Sequence, residues 1–419
     1  MAGPLMYVVP AFLLCHVIHL SSAAVDCSSI KNCSCVSNTI VCQHLKHLPN
    51  NIPPTVTEFI FDECPFGTLS NFPYSQAEVL AIRDSALTDV TLQNLPSLKT
   101  LDLSGNKLAP LRKDMFHGLD SVTDLILHYN GVKEVKDDTF ENLPNLIKVD
   151  LAENPGIHIS ENAFRNHKEL KHIKLGRCEL DSIPIDALSK AESLTTLDLL
   201  RNPLGTIPGN TLSKLPHLQT LNLFGCSLTT IPASTFSGLK NLVSLNLAEN
   251  EITEIPGSLF HDCRNTLQTL HLNGNKLKTL SGGDSEGVGW QNLHVLHLGD
   301  NPWTCDCNLQ WMKALDLDRI DDENITCATP ESVAGHKLHE VTEALSCSPG
   351  GGGGSSALAL GIAIPIIIIC LLLIAFFIYK IMQTRRQRAG KKSVRYSEVY
   401  KDTVETTPKE GAQQPLSVL

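Results

Sequence analysis

The stretch VRYSEVY, residues 394–400, sets Tyr396 between Val394 and Val399, a phenolic hydroxyl with apolar residues two positions before it and three after. A phosphate there adds a charge of about −1.5 to −2 beside flanking apolar contacts, the combination that an SH2 domain reads through an arginine. The run Tyr396-Ser-Glu-Val399 also fits the Y-x-x-Φ endocytic signal, which needs the unmodified ring, and a solvated tail with no reader is the third reading. Ser417-Val-Leu419 matches the carboxylate pattern that PDZ domains take up as an added strand. Which of these uses is open to the tail depends on the side of a membrane it occupies.

Residues 1–24, MAGPLMYVVPAFLLCHVIHLSSAA, hold an apolar run followed by small residues, the pattern of a secretory signal cleaved after Ala24, with an uncleaved anchor as the alternative. Residues 357–379, ALALGIAIPIIIICLLLIAFFIY, are long enough as a helix, about 34 Å, to cross a bilayer core of about 30 Å. Lys380, Arg385, Arg386, Arg388, Lys391 and Lys392 follow at once, so the positive-inside rule predicts a cytoplasmic tail from residue 380. The charge divides at the same place. Nine basic and four acidic residues make the tail +5, while 25 against 40 make the preceding part −15, the asymmetry of two compartments rather than of a nucleic-acid binder. Aromatic residues are 5% of the chain, which predicts an aliphatic core.

Between the two apolar ends the frame L-x-x-L-x-L-x-x-N-x-L opens at Val56, Ala77, Leu98, Val122, Leu146, Leu170, Leu194, Leu218, Leu242, Leu267 and Leu293, eleven times at spacings of 21 to 26 residues. That is a leucine-rich repeat array, and it predicts an α/β-type horseshoe solenoid with one short strand per repeat and a parallel sheet on the concave face. The ninth frame position, Cys64, Ser85, Asn106, Asn130, Asn154, Cys178, Asn202, Cys226, Asn250, Asn275 and Asn301, turns its side chain inward to bond the backbone of the bend. Cys178 and Cys226 then lie two coils, about 10 Å, apart and cannot bridge, so both are predicted to be buried thiols. Cys263 stands where other repeats place Leu119, Leu143 and Leu239, a core position.

With Cys15 in the signal run and Cys370 in the span set aside, four cysteines precede the first frame and four follow the last, and either end of a solenoid needs a lid over its apolar coil. The first cluster, with NPWTCDCNLQW at residues 301–311 and the later Cys327 and Cys347, resembles the N- and C-terminal cysteine caps of extracellular leucine-rich repeat proteins such as Toll-like receptor ectodomains, Slit-like proteins and variable lymphocyte receptors. The resemblance covers residues 27–347. It implies disulfides Cys27 to Cys35, Cys33 to Cys42, Cys305 to Cys327 and Cys307 to Cys347, although Cys27 and Cys33 are further apart than is usual. The organisation expected is a cap at 25–55, repeats over 56–300, a cap at 301–347, a Gly/Ser stalk at 348–356, the span and the tail. The sequons at Asn32 and Asn324 fall in the caps and leave the concave sheet free of sugar. The Tyr396 run resembles the immunoreceptor tyrosine-based inhibitory motif, which implies an SH2-domain phosphatase or adaptor as partner.

In such a solenoid the third, fifth, seventh and eighth frame residues project from the concave sheet. Asp62, Glu63 and Asp84 then make an acidic end, and Lys148, His172, Lys174, Arg177 and Arg201 a basic middle, beside which Leu200 and Phe224 are exposed apolar residues. These seven, from Lys148 to Phe224, are the candidate ligand-binding residues. His271, His294 and His297 sit on late repeats without a nearby carboxylate and read as solvated surface rather than a metal site. No phosphate loop, H-E-x-x-H or G-x-S-x-G run is present, so neither an enzyme nor a cofactor is expected. The function expected is a single-pass plasma-membrane receptor for an extracellular protein or glycan, or alternatively a structural adhesion protein that signals little.

Overall fold

Each of the eleven frames forms a strand whose fourth and sixth residues are apolar and buried, while the third and fifth are mostly polar, Val79, Val295, Ile60, Ala81 and Ile126 excepted. The computed structural model describes residues 27, 29–280, 290–306, 309, 312 and 325–341, all within one compact unit, Met1–Ser346. The signal run, Cys307, Asn324, Cys347, the stalk, the apolar span and the tail with Val394, Tyr396, Val399, Ser417 and Leu419 lie outside the described residues. Among the described residues no helix is long and apolar enough to cross a membrane.

A hairpin comes first, β1 (Cys33–Val36) against β2 (Thr39–Gln43). The frame strands follow in parallel as β3 (Glu58–Asp62), β4 (Val79–Arg83), β5 (Thr100–Asp102), β6 (Asp124–Ile126), β7 (Lys148–Asp150), β8 (His172–Lys174), β9 (Thr196–Asp198), β10 (Thr220–Asn222), β11 (Ser244–Asn246), β12 (Thr269–His271) and β13 (Val295–His297). The thirteen make one sheet in chain order, paired so that equal frame positions meet, as in Leu197 opposite Leu221. A one-residue slip would turn every leucine outward, so register is set by burial.

The bends are held by the ninth frame position. Asn202 Oδ1 accepts the Cys178 and Leu180 N–H groups at 3.0 Å each, and its Nδ2 donates to the Leu175 and Leu199 carbonyls at 2.8 Å. Asn154, Asn250, Asn275 and Asn301 repeat the pattern. At Cys178 and Cys226 the donor survives, Cys226 Sγ reaching the Leu199 carbonyl at 3.2 Å and Cys178 Sγ the Leu151 carbonyl at 3.2 Å, whereas Cys64 Sγ accepts the Leu45 N–H at 3.3 Å. The orphaned amide of the preceding coil finds another acceptor, Gly156 N–H bonding the Cys178 carbonyl and Leu204 N–H the Asn202 carbonyl. Cys64, Cys178, Cys226 and Cys263 are free and buried, and burial pushes the Cys178 and Cys226 thiols up to about 11.

The core is not purely aliphatic. Phe59, Phe61, Phe66, Phe72 and Tyr74 pack together at the N-terminal end, and on the outer side Phe116, Phe140 and Phe164 pack in sequence at 6.0 and 6.2 Å between centroids. Phe236, Phe260 and Trp290 do the same at 6.0 and 6.5 Å. Leu188 and Leu212 hold the equivalent sites between the two runs. At the ends, disulfides join Cys27 to Cys35, Cys33 to Cys42 and Cys305 to Cys327. Trp303 is fully buried under the last coil and donates its Nε1–H to the Leu298 carbonyl at 3.0 Å.

Replacing Asn202 with alanine strands two buried N–H groups and two carbonyls, for a loss of about 3 kcal/mol or more. Cys226→Asn supplies the missing acceptor and is expected to raise stability by about 1 kcal/mol. Thermal melts of the two variants check the ladder, and a Cys226→Asn chain less stable than the parent contradicts it.

Candidate functional site

The inner face is built from four frame positions with different duties. Positions three and five leave the sheet on the side opposite the buried leucines, and most are half-buried against neighbours in adjacent strands. Five position-five residues are tied to the backbone. Asp102, Asp150, Asp198, Asn222 and Asn246 each accept the N–H two residues on, from Ser104, Ala152, Leu200, Phe224 and Ala248 respectively, at 3.0–3.1 Å. These side chains close the strand ends, Asp150, Asp198 and Asn222 buried in doing so and Asp102 and Asn246 half-buried. Position eight has a left-handed backbone in all eleven repeats, from Glu63 at φ +52° to Asp300 at +52°, because its N–H must turn to the next coil. Arg201 N–H, for example, bonds the Phe224 carbonyl at 2.7 Å.

This arrangement corrects the basic middle expected from sequence. Lys174 lies 3.6 Å from Asp150, and the largely buried Asp198, raised in pKa by that burial, is held down in part by Lys174. Burial and then the neighbouring Lys148 push the His172 imidazole below its ordinary range, so it is neutral at pH 7. Lys148, Arg177 and Arg201 keep no ion pair among the described residues. The middle is therefore a mixed field with three uncompensated cations.

Leu200 and Phe224 are half-buried rather than freely exposed. Leu200 lies over Gly176, where an added Cβ would come within 2.8 Å of its Cδ2. The Arg201 guanidinium stands 5.6 Å from the centroid of the Phe224 ring, and its stem crosses Gly225. The two glycines provide the hollows, so Leu200, Arg201 and Phe224 form one preassembled patch with Arg177 on the coil before it. An apolar surface under a guanidinium suits a partner that offers both apolar contact and an acceptor.

The three late histidines do not converge. His271 and His297 stack in register at 4.7 Å between centroids, whereas His294 takes the second frame position and is exposed. Among the described residues no group of three or more histidine, cysteine or acidic side chains is set to hold a metal. Asn32 is exposed at the start of β1. Sequence reasoning missed Tyr129, at the eighth position of the fourth repeat and 64% exposed. Aligning the eleven frames exposes it, because the other occupants of that position are glycine, acidic residues or arginine.

One strand per coil, a bend held by an inward asparagine and a disulfide-bonded N-terminal lid occur together in leucine-rich repeat proteins, and residues 83–282 of the chain match that family. Two family models match the chain, a "BspA type Leucine rich repeat region" in six copies over residues 157–282 and "Leucine rich repeat" over 83–132 and 120–180. The trophoblast glycoprotein of Macaca fascicularis is 37% identical over 89 residues, which are 20% of this chain and 21% of that one. Mouse chondroadherin is 28% identical over 82 residues, 20% of this chain and 22% of that one, so the chain spans about a fifth of the length of these relatives. Among solved structures, the mouse RP105/MD-1 complex matches with a TM-score of 0.61 at 24% identity, over 73% of this chain and 54% of that one, a likeness of fold.

The stacked pair yields a pH dependence. Burial first, then the charge of His297, lowers the His271 pKa to about 4 from the usual 6.5. The unfolded chain therefore takes up a proton below pH 6.5 that the folded chain refuses until about pH 4, and stability falls as pH drops through that window. At pH 5 the loss relative to neutral pH is about 1–2 kcal/mol after allowance for partial exposure. His271→Asn, the residue type at the same position in the two preceding repeats, should remove that part of the acid sensitivity in melts at pH 7 and pH 5.

Proposed function

We propose that the chain is a cell-surface receptor whose inner face binds an extracellular protein or glycan. Residues 1–24 act as the secretory signal, 357–379 as the single membrane span, and the tail recruits cytosolic SH2-domain partners through Tyr396. The observation that carries the reading is the patch at the sixth to eighth repeats, where Arg201 lies over Phe224 and Leu200 over Gly176. Such a surface has a cost in solubility and no evident return to the fold, since the core beneath it is already filled by Leu199 and Leu223. A protein ligand is favoured over a glycan by the apolar content of the patch, beside which Arg177 and Arg201 carry no ion pair among the described residues. The fold is also one found in a solved complex, RP105/MD-1.

A screen of the displayed chain against extracellular proteins identifies the ligand. Phe224→Ala combined with Arg201→Glu should then weaken binding by about 2 kcal/mol or more, roughly thirtyfold, while display at the cell surface stays normal. Unchanged binding would place the ligand on another face.

For the tail, a phosphopeptide of residues 391–403 should retain an SH2-domain phosphatase and the Tyr396→Phe peptide should not. Retention of a clathrin adaptor by the unphosphorylated peptide alone would assign the motif to endocytosis. A tail that is never phosphorylated on ligand engagement would favour the adhesion reading.

A further inference from the structure

We infer that the ring of Tyr129 anchors a cationic, arginine- or lysine-bearing segment of a protein partner on an acidic stretch of the inner rim, in the third to fifth repeats. The inference rests on the reading that the inner face binds an extracellular ligand, but it names a contact separate from the Arg201 and Phe224 patch.

Tyr129 follows β6 with φ +54°. The ten other residues at that frame position are three glycines, five acidic residues and two arginines, so Tyr129 is its one aromatic occupant. A bulky side chain disfavours this region of backbone space, and the conformation holds because the Tyr129 N–H is committed to the Ala152 carbonyl at 3.0 Å. The side chain gives nothing back. It is 64% exposed, and among the described residues its ring and hydroxyl enter no hydrogen bond, ion pair or ring contact. Packing, propensity and hydrogen bonding all leave the tyrosine unexplained. An aromatic ring on a fixed backbone, offering a large contact area at low entropic cost, has the form of a binding hot spot.

The surroundings select the partner. Across the sheet the flanking seventh and eighth positions are small, Ser104 and Gly105 before Tyr129 and Ala152 after it. The remaining inner-face positions of these three repeats hold Asp102, Asp124 and Glu153 with Thr100, Ile126 and His128, against the single cation Lys148, and Asp150 is shared with Lys174. The negative face of an aromatic ring attracts a guanidinium or ammonium group, and the carboxylates extend that attraction to longer range. An anionic partner would meet repulsion here.

The test uses the full chain purified in nonionic detergent and a fluorescent oligo-arginine peptide as probe, read by anisotropy near physiological salt. Tyr129→Ala should weaken binding about fivefold or more, and Tyr129→Phe should keep most of it, because the ring face is what the cation meets. The Arg201→Glu, Phe224→Ala chain should bind the probe at least as well as the parent, so failure of the reading above leaves this result standing. Absence of binding to the parent chain, equal binding by Tyr129→Ala, or an equal loss in the phenylalanine and alanine variants each overturns the inference.

Discussion

The solenoid depends on one hydrogen-bonding constraint. A chain that turns at the end of every short strand leaves amides and carbonyls facing the interior at each bend, and such groups are expensive to leave unpaired. An asparagine amide, with two donors and an accepting oxygen, ties the carbonyls of its own coil and the one before to the amides of the preceding bend. Asn154 and Asn202 do this at four or five bonds each. The leucines supply the burial energy, but the ladder fixes the pitch at which they stack. The inner face inherits its geometry from that pitch, including the left-handed eighth position and the hollows above Gly176 and Gly225.

The same constraint explains what was legible in the sequence. Every strand began where its frame predicted, since burial and ladder act at the same register, and the asparagines were recognisable as structural from their interval alone. Thiols in three of the ladder positions could be read as substitutes for the same reason. Charge was harder. Asp150 and Asp198 are concave residues by alternation, yet they also bond the Ala152 and Leu200 amides and crowd Lys174, so a tally of basic residues overstated the positive field. Nor does a list of histidines tell stacked His271 and His297 from outlying His294. Tyr129 went unseen because the frame marks the residues it needs, and at the eighth position it needs a backbone conformation rather than a residue type.

Exposed side chains here divide by whether the fold has a use for them. Asp102 and Asn246 are half-buried and close strand ends, and they would stand in the sequence whether or not a ligand exists. Leu200, Arg201 and Phe224 rest on one another and on glycines, an arrangement that adds little to a filled core. That distinction, more than exposure itself, separates candidate contact residues from scaffold.

The aromatic packing on the outer side has a mechanical corollary. Phe116, Phe140 and Phe164 form one run and Phe236, Phe260 and Trp290 another, with the smaller Leu188 and Leu212 between. The ladder is also thinned over that stretch, where Cys178 and Cys226 stand in place of asparagine, as it is at Cys64 and Ser85 in the first two repeats. In an array stabilised by nearest-neighbour interfaces, a weak interface divides cooperativity, so the coils form two stiff blocks joined by a softer seam. The seam lies behind Arg177, Leu200 and Arg201. Curvature of the horseshoe is therefore most easily adjusted at the place where the inner face carries its preassembled patch, and a load pulling the ends apart would be felt there first.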